Sequence, residues 1–393
     1  MARRRGIRLR RASAAYLIRN TDETAELDIA RAEGSLLFDR RGKRYIDFAA
    51  GWSGGQLGWG REELRKAVRS FDGPDGVNPS WRYARWDELA AELAAIAPGR
   101  LRKCYRATGG TEAVEIALQI AMACTGRRGF VAIEGSYHGN SIAAVSVAEG
   151  GALPRCRHLK PPLDEAALDR LDRLLRDRRT AAFIFEPVIC NLGVLVPDDA
   201  FMRGVARTCH KHGTLLIADE VACGFGRTGR LFACEHFDLE PDLLCMAKGI
   251  TGGHAALGAT MATPKVASAA GDEVSFYSTF GWHPLSVEVA LANIRQMRRK
   301  ARAIFANVEA RSRDFALRLA QIAFPSPPRT RILGLAVGLE FEDEDYVREF
   351  RERCRSEGLI INATEAVVTL FPALDIDERT TRAGLDILER CAT

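Results

Sequence analysis

Lysine is scarce in this chain: of 56 basic residues, eight are lysine and 48 are arginine. Arginine is therefore the default surface cation, and a lysine in an apolar setting stands out. The ten cysteines, at 104, 124, 156, 190, 209, 223, 234, 245, 354 and 391, form no Cys-x-x-Cys pair and no metal-ligand spacing, which argues against a zinc ribbon or a disulfide framework. Several lie in apolar runs, such as Cys245 in Leu243-Leu244-Cys245-Met246. They read as buried free thiols of a reducing, cytoplasmic setting. There is no secretory signal and no apolar run of about 18 residues, so neither export nor a membrane span is expected. Charge of one sign is also lacking, since 51 acidic residues bring the net charge to +5. Only Arg3, Arg4, Arg5, Arg8, Arg10 and Arg11 cluster, without interleaved aromatics. A solvated tail accounts for them better than a nucleic-acid arm or an organellar presequence, and no nucleic-acid partner is expected.

What is present suits a large globular core. The chain has 393 residues, 47% of them hydrophobic, enough for two lobes. Residues 36–48 carry two short strand-like runs around Arg41-Gly42-Lys43, followed by the Gly- and Trp-rich segment Gly51–Gly60. Between about 100 and 262, strand patterns at 101–106, 129–134, 181–186, 213–218 and 242–246 alternate with helical ones at 111–124, 164–177 and 198–212. This alternation predicts a mainly parallel sheet covered by helices. A long helix is expected over 284–322, then a break at Pro325-Ser326-Pro327-Pro328. Strand, helix, strand and helix follow at 331–341, 343–357, 366–371 and 376–390, as a smaller lobe.

Several segments could carry chemistry. The apolar run Leu215–Ala218 ends on Asp219-Glu220, where open α/β sheets place ligands; a plain exit of the strand to solvent explains the acids equally well. Gly224-Phe225-Gly226-Arg227-Thr228-Gly229 is a literal GxGxxG. A dinucleotide loop must open a helix directly, however, and this one runs toward Asp238 and Pro241 behind two acids that would repel a pyrophosphate. Lys248 follows an apolar strand and precedes Gly249, Gly252 and Gly253. A lysine desolvated on one side is a candidate nucleophile, or else a surface loop residue. Gly109-Gly110-Thr111-Glu112 opens a helix; its free N–H groups suit a phosphate, and an ordinary helix cap would look the same. Tyr137-His138-Gly139 places an aromatic after a strand.

The order and spacing of these segments, with Glu186-Pro187-Val188 and Ser278-Thr279-Phe280, resemble the class III aminotransferases from about Gly34 to Leu388. These are fold-type-I enzymes that use pyridoxal 5′-phosphate (PLP). The resemblance implies an α/β fold with a mainly parallel seven-stranded sheet, a large domain over 46–283, and a small α+β domain built from 1–45 and 284–393. It implies that Lys248 binds PLP covalently as a Schiff base and that Asp219 keeps the pyridine nitrogen protonated. Val221 and Tyr137 would sandwich the ring, His138 and Glu186 would lie beside it, and Gly110 and Thr111 would hold the phosphate. Thr279 would reach across a homodimer interface. The implied reaction moves an amino group between an amine or amino-acid donor and an aldehyde or keto acceptor by a ping-pong cycle.

The chain also departs from the family. Members that use glutamate carry an arginine near the C-terminus, where Thr369 or a neighbour stands here. The glutamate that pairs with it is replaced by Asn191, the glutamine after the Asp-Glu-Val run by Ala222, and the serine of the phosphate loop by Gly109. Losing both members of a buried charge pair is less costly than losing one, so a carboxylate would be held by another route. Trp52 and Trp81 could line an aromatic-walled pocket, or simply pack a core or an interface; Arg82 and Arg85 are carboxylate-binding candidates by composition. The alternatives left open are an epimerase, aminomutase or decarboxylase on the same scaffold, a nicotinamide-dependent oxidoreductase using Gly224–Gly229, and a catalytically silent PLP-binding regulator.

Overall fold

The computed structural model describes residues 27–150, 155–271 and 276–393, so the N-terminal arginine cluster lies outside the described residues. The first strands, β1 (Ile29–Glu33), β2 (Leu36–Asp39) and β3 (Arg44–Asp47), form an antiparallel meander. Its tight turn is made locally: Asp39 Oδ1 accepts from the N–H groups of Arg41 and Lys43, each at 2.9 Å, and Gly42 takes φ +84°, where a Cβ would be strained.

The central sheet contains β4 (Lys103–Ala107), β5 (Gly129–Ile133), β6 (Cys156–Leu159), β7 (Thr180–Phe185), β8 (Leu215–Asp219), β9 (Leu243–Met246) and β10 (Gly258–Ala262). Their order is β4-β10-β9-β8-β7-β5-β6. Parallel ladders join β6 to β5, β5 to β7, β7 to β8 and β8 to β9, and β10 runs antiparallel to both β9 and β4. The sheet is therefore seven-stranded and mainly parallel. All six residues of β7 are buried, as expected of a parallel strand covered on both faces. The covering helices are Gly110–Thr125, Glu165–Leu175 and Asp199–Lys211. The last two start where aspartate caps them: Asp164 accepts from the Ala167 N–H at 2.9 Å and Asp198 from that of Ala200 at 2.7 Å.

The helix Pro284–Leu319 has 36 residues, about 54 Å at 1.5 Å per residue. Proline suits its first turn. Val287, Leu291, Ile294, Met297, Ile304, Val308, Phe315 and Leu319 are buried along one stripe. Beyond it, the run 331–341 is not one strand but a hairpin, β11 (Arg329–Leu333) and β12 (Ala336–Glu340). Gly334 makes the turn at φ +60°, where a Cβ would overlap the Thr228 backbone. The short strands β13 (Leu359–Ile360) and β14 (Asn362–Thr364) precede β15 (Val367–Leu370). The third sheet has the order β11-β12-β15-β14, whereas β13 leaves it to pair in parallel with β3. The C-terminal segment thus completes the N-terminal sheet.

Candidate active site

The carboxyl ends of β4, β5, β7, β8 and β9 open onto one cavity of about 350 Å³, the edge of a parallel sheet where ligands are usually held. From β8 comes Asp219, with its side chain only 4% exposed. Its Oδ2 lies 2.8 Å from His138 Nδ1, and its Oδ1 accepts from the Val221 N–H at 3.1 Å. Strand alternation sends Glu220 the other way. Glu220 accepts from the N–H groups of Ala233 and Cys234 at 2.9 and 2.7 Å and anchors the loop beneath, so of the two acids only Asp219 faces the cavity.

Glu186 follows β7 and is buried. Its Oε2 accepts from the Cys190 N–H at 3.2 Å, while Oε1 is buried without a partner. Burial, and after it the negative charge of Asp219, push its carboxyl up to about 8. Lys248 lies just past β9 with φ +42° and lines the same cavity. Gly249 follows it because a Cβ there would stand 2.6 Å from Phe225 Cβ.

The far end of the cavity is the N-terminus of the helix Gly110–Thr125. No side chain caps its first N–H groups, leaving them and the helix dipole available to an anion. Gly110 packs against Val221, whose Cγ1 would lie 2.9 Å from an added Cβ. Thr111, Tyr137, His138 and Gly139 complete the wall. The structure therefore brings together Lys248, Asp219, Glu186, Gly110, Thr111, Tyr137, His138 and Val221.

The other candidates stand elsewhere. Thr279 is exposed and does not line the cavity of its own chain. Trp52 and Trp81 are 43% and 67% exposed. Arg82 Nε is 3.4 Å from Asp87, and Arg85 is engaged by Glu288 at 2.5 Å and by Glu88. Asn191 Nδ2 donates to the Gly135 carbonyl at 3.0 Å. Thr369 sits in β15 opposite Gly338 and Asn362. None of these seven is among the residues lining the cavity.

Gly224–Gly229 does not open a helix; it is a series of turns with Gly226 at φ +94° and Gly229 at φ +90°. Its Arg227 is fully buried. Arg227 donates to Ser53 Oγ at 3.1 Å, Gln56 Oε1 at 2.9 Å, and the carbonyls of Leu335 at 2.9 Å and Pro372 at 2.5 Å. Burial draws its guanidinium down to about 9. Arg227 thus ties the Gly-rich segment to the C-terminal lobe, which leaves the motif no room to act as a pyrophosphate loop. Neither this knot nor Ser136, which reaches His138, stood out in the sequence; both depend on contacts that spacing does not reveal.

The family model for class III aminotransferases matches residues 17–392. The chain is 32% identical over 367 residues to the acetylornithine aminotransferase of Archaeoglobus fulgidus, covering 92% of this chain and 94% of that protein. It is 31% identical over 386 residues to the putrescine aminotransferase of Pectobacterium atrosepticum, covering 92% and 82%. The structure superposes on a Bacillus anthracis aminotransferase with a TM-score of 0.89 at 27% identity, covering 99% and 98% of the two chains. The chain belongs to the class III aminotransferases, and it is a PLP-dependent transaminase.

Proposed function

We propose that Lys248 is the residue that binds PLP covalently and moves the proton, and that the amino donor is an amine whose reacting group is remote from any carboxylate. The cavity fits PLP on three counts. An uncapped helix start at Gly110 suits its phosphate, the buried carboxylate of Asp219 suits its ring nitrogen, and the unpartnered Glu186 Oε1 awaits a polar neighbour. Val221 and Tyr137 would flank the ring, with Gly110 and Thr111 at the phosphate. When bound, the cofactor supplies a sink for the electrons released as the donor's Cα–H bond breaks.

The residues then have distinct tasks. Lys248, once the donor amine has displaced it, takes the Cα proton at Nζ and returns one on the other side of the transfer. Asp219 stabilises a proton on the ring nitrogen through its charge. Glu186, neutral below about pH 8, fills the cavity without adding a second negative charge beside Asp219.

The donor class rests on one observation: among the described residues lining the cavity there is no arginine, and the one lysine is Lys248. A donor with a carboxylate beside its amine would have no guanidinium to meet it. The putrescine and acetylornithine enzymes among the relatives are named for substrates with distant amino groups, which supports the same reading. The test is a panel of diamines, ω-amino acids and α-amino acids mixed singly with the holoenzyme. Diamines and ω-amino acids should convert the cofactor stoichiometrically to its amine form, and Lys248→Ala should abolish turnover. Equal conversion by short α-amino acids would refute the donor class, and steady turnover without any carbonyl acceptor would refute transfer as the main outcome.

We also infer a homodimer in which Thr279 serves the partner's phosphate site. Support comes from the exposed apolar side chains Tyr277 and Phe280 on either side of Thr279 and Trp81 and Ile142 elsewhere, between 64% and 79% exposed, an unusual amount of apolar surface to leave in water. Sedimentation of the holoenzyme at twice the monomer mass is the expected result. We also propose a division into a large domain, 46–283, and a small one from 1–45 and 284–393; the β13–β3 pairing, Leu359 with Ile46 and Ile360 with Asp47, crosses the boundary at 46 and groups β3 with the C-terminal segment. The ten free thiols favour a reducing, cytoplasmic setting.

A further inference from the structure

The buried polar chain behind Asp219 continues past His138. Ser136 is 4% exposed. Its Oγ lies 2.7 Å from the Ile133 carbonyl and 3.1 Å from His138 Nε2. The carbonyl can only accept, and a hydroxyl has one proton to give, so Ser136 donates to Ile133 and accepts from His138. Nε2 is therefore an N–H. On the other side of the ring, Nδ1 stands 2.8 Å from Asp219 Oδ2, a separation that requires a proton between them. The imidazole accordingly carries both protons when Asp219 is ionised, and the two side chains, 0% and 4% exposed, form a net-neutral pair.

We propose that Ser136 is a positioning residue for the transamination: by accepting from Nε2 it holds His138 as the imidazolium and sets how much negative charge Asp219 presents to the cofactor ring. The inference rests on the reading of Asp219 as the partner of the ring nitrogen. Without an acceptor at Nε2, a buried N–H would be left unpaired, at a cost of about 1–3 kcal/mol. The ring would then favour the tautomer with a bare Nε2 and its single proton on Nδ1, still donating to Asp219. The pair would change from net neutral to net negative, and the cavity would gain uncompensated charge in a water-poor place. The other titratable groups around this pair are Glu186 beyond β7, Lys248 beyond β9, Cys245 on β9 and the phenol of Tyr137. None of these takes the place of Ser136 at Nε2.

The test is the pH titration of the absorbance band of the Lys248–cofactor linkage in the holoenzyme. Added negative charge on the Asp219 side stabilises the protonated linkage. Ser136→Ala should therefore move the titration midpoint upward by about one unit, and Ser136→Thr, which keeps the hydroxyl, should restore it. Asp219→Asn, which removes the charge, should move the midpoint downward. If Asp219→Asn has no effect, the reading of Asp219 itself fails. If Asp219→Asn moves the midpoint and Ser136→Ala does not, the role of Ser136 alone is overturned. A measurement on the unmodified holoenzyme is independent of any variant's folding: the ¹⁵N shifts of His138 should be those of two protonated nitrogens at neutral pH, and a bare Nε2 would overturn the proposal.

Discussion

Replacing Glu186 by glutamine should remove a specific part of the protein's pH-dependent stability. The wild-type carboxyl is buried, receives one N–H from Cys190 at 3.2 Å, and is pushed from its ordinary 4.5 up to about 8 by desolvation and then by Asp219. A carboxyl whose value is higher in the fold than in the unfolded chain stays protonated longer in the fold. Its contribution to stability is complete below the unfolded value of 4.5 and is lost as the pH rises through about 8. A shift of this size corresponds to roughly 5 kcal/mol in full, of which about 3 kcal/mol falls between pH 5 and pH 8. Glutamine can still accept the Cys190 N–H but never ionises. Urea denaturation of the cofactor-free chain at several pH values, for wild type and Glu186→Gln, should give stability curves that converge near pH 5 and separate towards pH 8, with the variant the more stable at the alkaline end. Parallel curves would refute the argument, since they would mean that Glu186 is ionised in the fold across that range and has found a proton donor or a cation close by.

Three further outcomes follow from the same geometry. Asp219→Asn should leave the covalent linkage at Lys248 visible by absorbance but lower kcat on the order of 10²-fold, because the ring nitrogen loses its anionic partner; wild-type rates would remove Asp219 from the mechanism. Gly338→Ala should lower the melting temperature sharply, with a loss above about 2 kcal/mol, because its Cβ would overlap the Gly193 carbonyl and backbone cannot swing aside as a side chain can. Thr279→Ala should weaken cofactor retention, seen as faster loss of PLP on dilution, while leaving the monomer's thermal transition within about 0.5 kcal/mol of wild type, as for other exposed sites.

How far the fold could be read from the chain depended on whether a segment's neighbours were written into its own residues. The strands β7, β8 and β9 are apolar runs because a parallel strand is covered on both faces, and that requirement is local. The helices over 165–175 and 199–211 announce their starts through Asp164 and Asp198. By contrast β10, Gly258-Ala259-Thr260-Met261-Ala262, is fully buried but composed of small residues. Its thin side chains let the helix Gly110–Thr125 approach, with Thr260 donating to the Ala113 carbonyl at 2.6 Å. That is a property of the helix as much as of the strand, so no periodicity in 258–262 could reveal it. The hairpin at 329–340 was hidden for a similar reason: Gly334 is a turn residue because the Thr228 backbone lies against it, more than a hundred positions away in the chain.

The same distinction divides the site. Lys248, Asp219 and the Gly109–Thr111 helix start were legible because their chemistry depends on strand ends and helix ends, which sequence patterns mark. The candidates Trp81, Arg82 and Arg85 rest on composition, and composition carries no direction. Arg85 turns to Glu88 and Glu288, and Trp81 to solvent. Arg227 is the converse case. Its six-residue motif suggested a ligand loop, whereas its guanidinium is consumed by four protein oxygens from three separate segments. A buried arginine with every nearby acceptor drawn from another part of the chain cannot be released by local rearrangement. The knot at Arg227 therefore fixes where the Gly-rich 51–60 segment stands relative to β12 and the loop after β15. That leaves the donor's approach to Lys248 to be shaped by surfaces the knot holds in place, rather than by the missing carboxylate-binding arginine.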